Sequence, residues 1–323
     1  MFRFHRPIAY ILICLVSFLP SVFGQQLQER IQVELVQVDL VATDSKGELV
    51  TDLTAEDFVL KENGKVQTIT HFYNSATDEN RYPLTMSFLI DTSYSMHETV
   101  AGLTRIDIAA KAAELVMTQL REQDQVELIE FHNQPEALVP FTSDLRPVRE
   151  KFRTINFREA NTAMHDAVIF AVDRIKSRSG RKIIVIFSDG MDSASKAVEE
   201  DAIEAIRKSD ATIVAFYSEF AKLNFPAAGG GLGGDPSNMR RVKILTGEHI
   251  LRQYAEMTGG QFFSFRKEPE MLKALEDFRA FVQSQYTLAY KPASKQSSRW
   301  RKIKVECKRK GVKLRHREGY WAG

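Results

Sequence analysis

Five oxygen-bearing side chains stand at three places in this 323-residue chain, at a spacing that suits a divalent cation. Asp91, Ser93 and Ser95 alternate within Ile90-Asp91-Thr92-Ser93-Tyr94-Ser95, Thr162 follows Asn161, and Asp189 closes the run Phe187-Ser188-Asp189-Gly190. Together they offer carboxylates and hydroxyls, with no thiolate and no imidazole. Such a donor set suits Mg²⁺, Mn²⁺ or Ca²⁺ and argues against zinc or copper, which prefer softer or imidazole ligands. Each piece also has a plainer use. Asp-x-Ser is a common turn and N-cap sequence, Asp166 reads as a first-turn acid of a helix, and Asp192 reads as solvated.

The elements that must position these groups alternate between strand and helix. Leu84 to Ile90 is an apolar run of strand length, Ile106 to Leu120 repeats at helical spacing, and Val126 to Phe131 is strand again. Ala137 to Phe141 reads as an edge hairpin strand. Helices are expected over 145–155 and 163–177, then strand 183–187, helix 196–208, strand 212–217, helix 248–258, strand 261–265 and helix 269–285. Strands without polar alternation, separated by helices, predict a doubly wound, mostly parallel α/β sheet covered on both faces. Ligands of such sheets bind beyond the carboxyl ends of the strands, where Asp91 and Asp189 fall.

Both flanks follow a different period. Residues 33 to 73 alternate apolar and polar, with an Asn63-Gly64 hairpin turn and a Thr54-x-x-Asp57 capping pattern. Alternation returns in Tyr286, Leu288, Tyr290, then Ile303, Val305, Cys307, then Val312 and Leu314. Neither segment buries a core well alone. The expectation is a small β-sandwich formed by the N- and C-terminal segments, 25–80 and 287–323, with the α/β domain, 83–286, inserted between them.

Taken together, Asp91-x-Ser93-x-Ser95, Asn161-Thr162-Ala163-Met164-His165-Asp166 and Ile184-Val185-Ile186-Phe187-Ser188-Asp189-Gly190 resemble the metal-ion-dependent adhesion site of von Willebrand factor type A domains. The flanks are similar to those of secreted bacterial proteins with related domains, through Leu53-Thr54-Ala55-Glu56-Asp57-Phe58 and Arg317-Glu318-Gly319-Tyr320. The resemblance implies that Ser93 and Ser95 coordinate the metal directly and Thr162 directly or through water, while Asp91 and Asp189 orient waters and hydroxyls. It further implies a non-catalytic protein. Neutral hydroxyl ligands leave the cation under-neutralised, so an Asp or Glu carboxylate of a protein partner completes its shell, and metal affinity should fall in the range of about 10⁻⁴ to 10⁻³ M. Tyr94 departs from the small residue usual at that position. Helix 269–285 is the element expected to shift if the site changes affinity.

Composition narrows the remaining choices. Hydrophobic residues at 44% and charged residues at 27% are ordinary globular values. Residues 1–24, with a basic head, an apolar stretch from Ile8 to Leu19 and Val22-Phe23-Gly24, read as a secretory signal peptide, and no membrane span is expected after its cleavage. Cleavage would leave Cys307 as the lone cysteine. From Lys291 to Arg317 twelve Lys or Arg stand against Glu306, on strands where such charges form a solvated face, so nucleic acid is not expected as a partner. Gly229 to Gly234 lacks the Gly-Lys-Ser/Thr ending of a phosphate loop and reads as part of a flexible loop over 219–247. Two rivals remain: a metal-assisted hydrolase, for which His97 and His165 lack a relay partner at suitable spacing, and a structural module in which the metal only stabilises.

Overall fold

The computed structural model describes residues 35–78, 82–97, 99–100, 102–158, 160–218, 236–283, 285–292 and 299–322. The signal-peptide reading of residues 1–24 lies outside them. Residues Glu34–Gly323 form one compact unit.

The chain begins with β1 (Val36–Thr43), and a 3-10 turn at Ala55–Asp57, carrying the expected Thr54–Asp57 capping box, leads into β2 (Phe58–Glu62). Asn63 (φ 47°) and Gly64 (φ 80°) make the hairpin turn to β3 (Lys65–Val66). The sequence reading runs the hairpin strand on to Phe72, yet the chain does not stay in that hairpin. It leaves at Gln67-Thr68, and β4 (Ile69–Asn74) joins the other sheet of the sandwich.

The α/β layer opens with β5 (Leu84–Asp91), buried along its whole length. A 3-10 turn at Tyr94–His97 and a two-residue hairpin, β6 (Thr99–Val100) with β7 (Leu103–Thr104), lead into α1 (Arg105–Met117). β8 (Gln125–Phe131) and β9 (Pro135–Thr142) then form the expected antiparallel edge pair. After them come α2 (Leu145–Thr154), α3 (Met164–Ile175), β10 (Arg181–Phe187), α4 (Glu199–Arg207) and β11 (Thr212–Ser218). The layer closes with α5 (Pro236–Met257), β12 (Gln261–Phe265) and α6 (Glu268–Gln283). The expectation of loop through residue 247 is therefore corrected, because helix runs from Pro236.

The six strands lie in the order β12-β11-β10-β5-β8-β9, parallel except for β9. Successive residues of β5 and β10 feed opposite cores, as a sheet covered on both faces requires. Met86, Phe88, Ile90, Ile183, Val185 and Phe187 face α1, α2 and α6, whereas Leu89, Ile184 and Ile186 face α3, α4 and α5. Each large apolar side chain removed from water in this way contributes about 1.5–3 kcal/mol. The sheet grows in one direction from β5 to β8 and in the other from β5 to β10. The switch in winding lies between β5 and β10, where such sheets open a crevice.

The returning chain forms β13 (Gln285–Tyr290), β14 (Arg299–Cys307), β15 (Lys313–His316) and β16 (Gly319–Ala322); the last is a fourth strand beyond the three that the alternation predicts. They interleave with the opening strands as β15-β1-β13-β4 and β16-β14-β2-β3. Val38, Leu40, Phe58, Leu60, Leu288 and Ile303 meet between the two sheets. The α/β sheet is thus inserted into a sandwich built from both flanks. The sandwich adjoins the amino ends of the parallel strands: the Arg181 guanidinium donates to Ser75 Oγ (2.7 Å) and the Val282 carbonyl (3.3 Å), and Arg317 donates to the Ser209 carbonyl.

Candidate functional site

The far ends of β5 and β10 carry the sequence-predicted residues. Asp91, the last residue of β5, is fully buried; its Oδ1 accepts the Ser93 N–H (2.8 Å) and its Oδ2 accepts the Ser188 hydroxyl (2.7 Å). Ser93 Oγ lies 3.4 Å from Ser95 Oγ. These short loops fold this way because strand β5 ends on an Asp whose carboxylate caps the next turn. Asp189 follows Ser188 at the end of β10, is also buried, and accepts the Met191 N–H (3.0 Å). Gly190 (φ 72°) makes the turn, and any Cβ there would fall 2.2 Å from the Gly247 carbonyl oxygen of α5, so only glycine allows helix and loop to meet this closely.

Thr162 is buried beside these loops and joined to them through its backbone. Its N–H donates to Ser193 Oγ (3.1 Å), and its carbonyl accepts from Ser193 (2.8 Å) and Ala194 (3.0 Å). The Tyr94 N–H reaches the Ala160 carbonyl at 3.5 Å. The structure therefore ties Asp91, Ser93 and Ser95 together directly, sets Asp189 beside Asp91, and holds Thr162 to the Asp189 loop by main-chain bonds.

Electrostatics favour a cation here. Burial, and next the neighbouring Asp189 carboxylate, push Asp91 up to about 7. Two buried carboxylates side by side are costly unless positive charge stands against them. Part of that charge is Arg105, whose guanidinium lies 3.6 Å from Asp189 Oδ2. Hard oxygen donors, a carboxylate held against its ionisation and open coordination from hydroxyls fit a divalent ion of the Mg²⁺ type. Among the described residues no group of three or more His, Cys, Asp or Glu side chains forms a metal cluster; the present set contains two carboxylates and depends on hydroxyls for the rest.

Several neighbours differ from the sequence reading. Asp192 is not simply solvated. Its Oδ2 accepts the N–H groups of Met164 (2.8 Å) and His165 (3.3 Å) and the Ser195 hydroxyl (2.5 Å), so it caps α3. Asp166 sits in the first turn of α3 as expected and accepts from Lys196 (3.0 Å) and Ala197 (2.9 Å). His165 is buried, with Nδ1 3.0 Å from Tyr254 Oη, and His97 Nδ1 meets the Tyr94 carbonyl. Tyr94 is unstrained, since Asn63 is the one non-glycine residue with positive φ among those described. Its ring is 55% exposed and lies 4.4 Å from the His97 ring, forming a rim beside the site. The bond from Ser188 to Asp91 and the presence of Arg105 beside Asp189 are features of the site that the motif alone does not show. An arginine opening a helix, where the dipole favours acids, was the available signal for Arg105.

Comparison with known proteins gives one family match within the chain. Residues 86–191 match the family model of the von Willebrand factor type A domain, which suggests a protein-interaction or adhesion module. Among solved structures it is similar to BatB from Bacteroides thetaiotaomicron, at 14% identity over 62% of this chain and 100% of that one, with a TM-score of 0.45. A von Willebrand factor type A protein from Catenulispora acidiphila matches at 12% identity over 88% of this chain and 73% of that one, with a TM-score of 0.47. The PilB minor pilin from Streptococcus sanguinis matches at 15% identity over 64% and 62%, also with a TM-score of 0.47. No curated protein matches in the sequence search. Among the described residues no helix is long and apolar enough to cross a membrane.

Proposed function

We propose that the chain is a secreted or periplasmic, non-catalytic binding protein whose A domain grips an acidic side chain of a protein partner through a divalent cation, Mg²⁺ or else Mn²⁺ or Ca²⁺. The observation that carries this reading is the buried Asp91–Asp189 pair at the switch in winding, with the Ser93 and Ser95 hydroxyls gathered on it. Ser93 and Ser95 would hold the cation directly, Thr162 directly or through water, and Asp91 and Asp189 would orient the waters and hydroxyls. The bound cation supplies an under-neutralised coordination position for a carboxylate. The residues of the chain do the rest: they fix the donors on two strand ends, and Tyr94 flanks the approach.

The packed environments of His97 and His165 support binding over hydrolysis, since each ring nitrogen contact that is seen goes to a tyrosine rather than to a nucleophile and its base. The same proposal takes residues 1–24 as a cleaved signal peptide, 25–80 and 287–323 as the halves of the sandwich, and 83–286 as the A domain. Calorimetric titration with Mg²⁺, Mn²⁺ and Ca²⁺ tests it, followed by capture from envelope extracts with and without EDTA. Uptake of one such ion, lost in Asp91→Ala and Ser93→Ala, together with EDTA-sensitive capture, is expected. Absence of uptake of all three ions overturns the reading, and metal-dependent turnover of ester or phosphate substrates replaces it with the hydrolase.

A further inference from the structure

We infer that the rim beside the cation site reads the residue next to the partner's acid: the Tyr94, His97 and Phe157 rings seat a large apolar side chain, and a cleft lined by Asn133 and Asn161 holds the main chain that carries it. This rests on the cation-site reading above and adds the kind of partner, an extended peptide segment in which Asp or Glu stands beside an aromatic or bulky aliphatic residue.

The rim adjoins the candidate ligands in the chain itself. Tyr94 stands between Ser93 and Ser95, and Asn161 immediately precedes Thr162. An open cleft of about 520 Å³ lies between Tyr94, Asn133, Ala160 and Asn161. Tyr94 also belongs to a cluster of rings: its centre is 4.4 Å from that of His97 and 6.5 Å, edge on, from that of Phe157, and the last two are 5.3 Å apart.

The chemistry of the rim is that of a recognition surface. Tyr94 and Phe157 are both exposed, Phe157 to 39%, so apolar ring faces are gathered in water beside the place where a carboxylate would dock. Such rings give large, rigid contact area at small entropic cost. A carboxamide donates and accepts, as a peptide group does, so Asn133 and Asn161 suit a main chain lying in the cleft. A cation alone takes any carboxylate, that of acetate or of an acidic sugar as well as that of Glu; the rings beside it discriminate.

The rim is also fastened in advance. The Arg158 N–H donates to the Thr92 carbonyl (2.6 Å), the Ala163 N–H to the His132 carbonyl (2.6 Å) and the Asn161 N–H to Asn133 Oδ1 (3.1 Å). These bonds join the loop after β5, the turn between β8 and β9 and the segment before α3. Little ordering is then left for the moment of binding, which removes one of its main costs.

The test uses the full chain in Mn²⁺ and, as probes, capped heptapeptides with a central Glu flanked on both sides by Phe or by Gly, together with acetate and polygalacturonate. In calorimetry the Phe peptide should bind about tenfold tighter than the Gly peptide or better, and neither should bind in EDTA. Phe157→Ser should cut the preference to about threefold or less, and Asn133→Ala should weaken both peptides alike, with Mn²⁺ uptake unchanged in each variant. Equal binding of the two peptides by wild type overturns the inference, a comparison that needs no variant to fold. So does a preference that survives Phe157→Ser, and Asn133→Ala without effect on either peptide overturns the role of the cleft. Tighter binding of polygalacturonate than of the Phe peptide overturns it in favour of an acidic glycan. Each of these results leaves the cation site standing, whereas absence of Mn²⁺ uptake by wild type overturns that site and the inference with it.

Discussion

Two regions of this molecule bury carboxylates, and they treat them in opposite ways. In the sandwich, Glu62 accepts from Tyr290 Oη (2.6 Å), Tyr320 Oη (2.9 Å) and Arg301 Nη1 (3.0 Å), so its charge is matched and its lone pairs are filled by the chain itself. The cost shows on the partners: burial first, then the bond to Glu62, raises Tyr290 and pushes Tyr320 up to about 12, which keeps both phenols as donors. At the end of the α/β sheet, Asp189 lies 3.6 Å from the Arg105 guanidinium, and burial beside Asp189 holds Asp91 against ionising. A satisfied buried charge specifies a structure. Two adjacent buried carboxylates at the carboxyl end of a sheet, with less positive charge against them, make the candidate site that the proposal above assigns to a cation.

That contrast is most exposed to attack in the sandwich. Arg301→Met should cost about 3–5 kcal/mol in urea unfolding, because it strands a buried carboxylate; adding Glu62→Gln should recover part of the loss. A cost below about 1 kcal/mol would mean that Glu62 is not satisfied by the pairing described. The α/β end should respond to solution conditions instead. Raising Mn²⁺ or Mg²⁺ to about 10 mM should stabilise wild type by about 1–3 kcal/mol for an affinity of about 10⁻⁴ to 10⁻³ M. Ser93→Ala should lose this gain, as read by melting temperature with and without EDTA. A sandwich variant such as His316→Gln should keep it.

The smallest effect concerns that same histidine. Burial holds His316 below its ordinary range, and its Nε2 accepts the Val305 N–H at 3.1 Å. The folded state therefore binds fewer protons than the unfolded chain. Stability is fully present above pH of about 6.5 and falls as pH drops from there toward the lowered folded value, by at most about 1.4 kcal/mol per unit of pH. His316→Gln should flatten the wild-type slope between about pH 5 and 6.5 in urea midpoints. An unchanged slope would move the pH sensitivity elsewhere.

The legible part of the fold is the part where one physical cause dominates. β5 and β10 read from sequence because both faces are buried, which leaves uninterrupted apolar runs ending on Asp91 and just before Asp189. Asn63-Gly64 reads as a turn because both residues tolerate positive φ. The break between β3 and β4 is marked in sequence only by a phase shift, Ile69 standing three residues after Val66, and the change of sheet is decided by pairing with β13. β16 opens on Gly319, a weak strand residue, and its place comes from pairing with β14, where Trp300 faces Trp321. The early part of α5 hides behind the glycine-rich stretch before it. At the site, the three motif pieces were visible through their donor chemistry, whereas the bond from Ser188 to Asp91 and the approach of Arg105 in α1 to Asp189 are contacts between distant parts of the chain that no local spacing encodes.

The interleaved sandwich has a consequence for biosynthesis. β1 is flanked by β13 and β15, with Leu40 paired to both Tyr286 and His316, and β2 lies beside β14. A growing chain leaves the ribosome at about 5–20 residues per second, so the first strands wait on the order of ten seconds or more for their neighbours while the α/β insert emerges whole. During that interval β1 and β2 expose unpaired edges. A factor that keeps such edges apart until the last forty residues arrive should therefore raise the yield of folded protein.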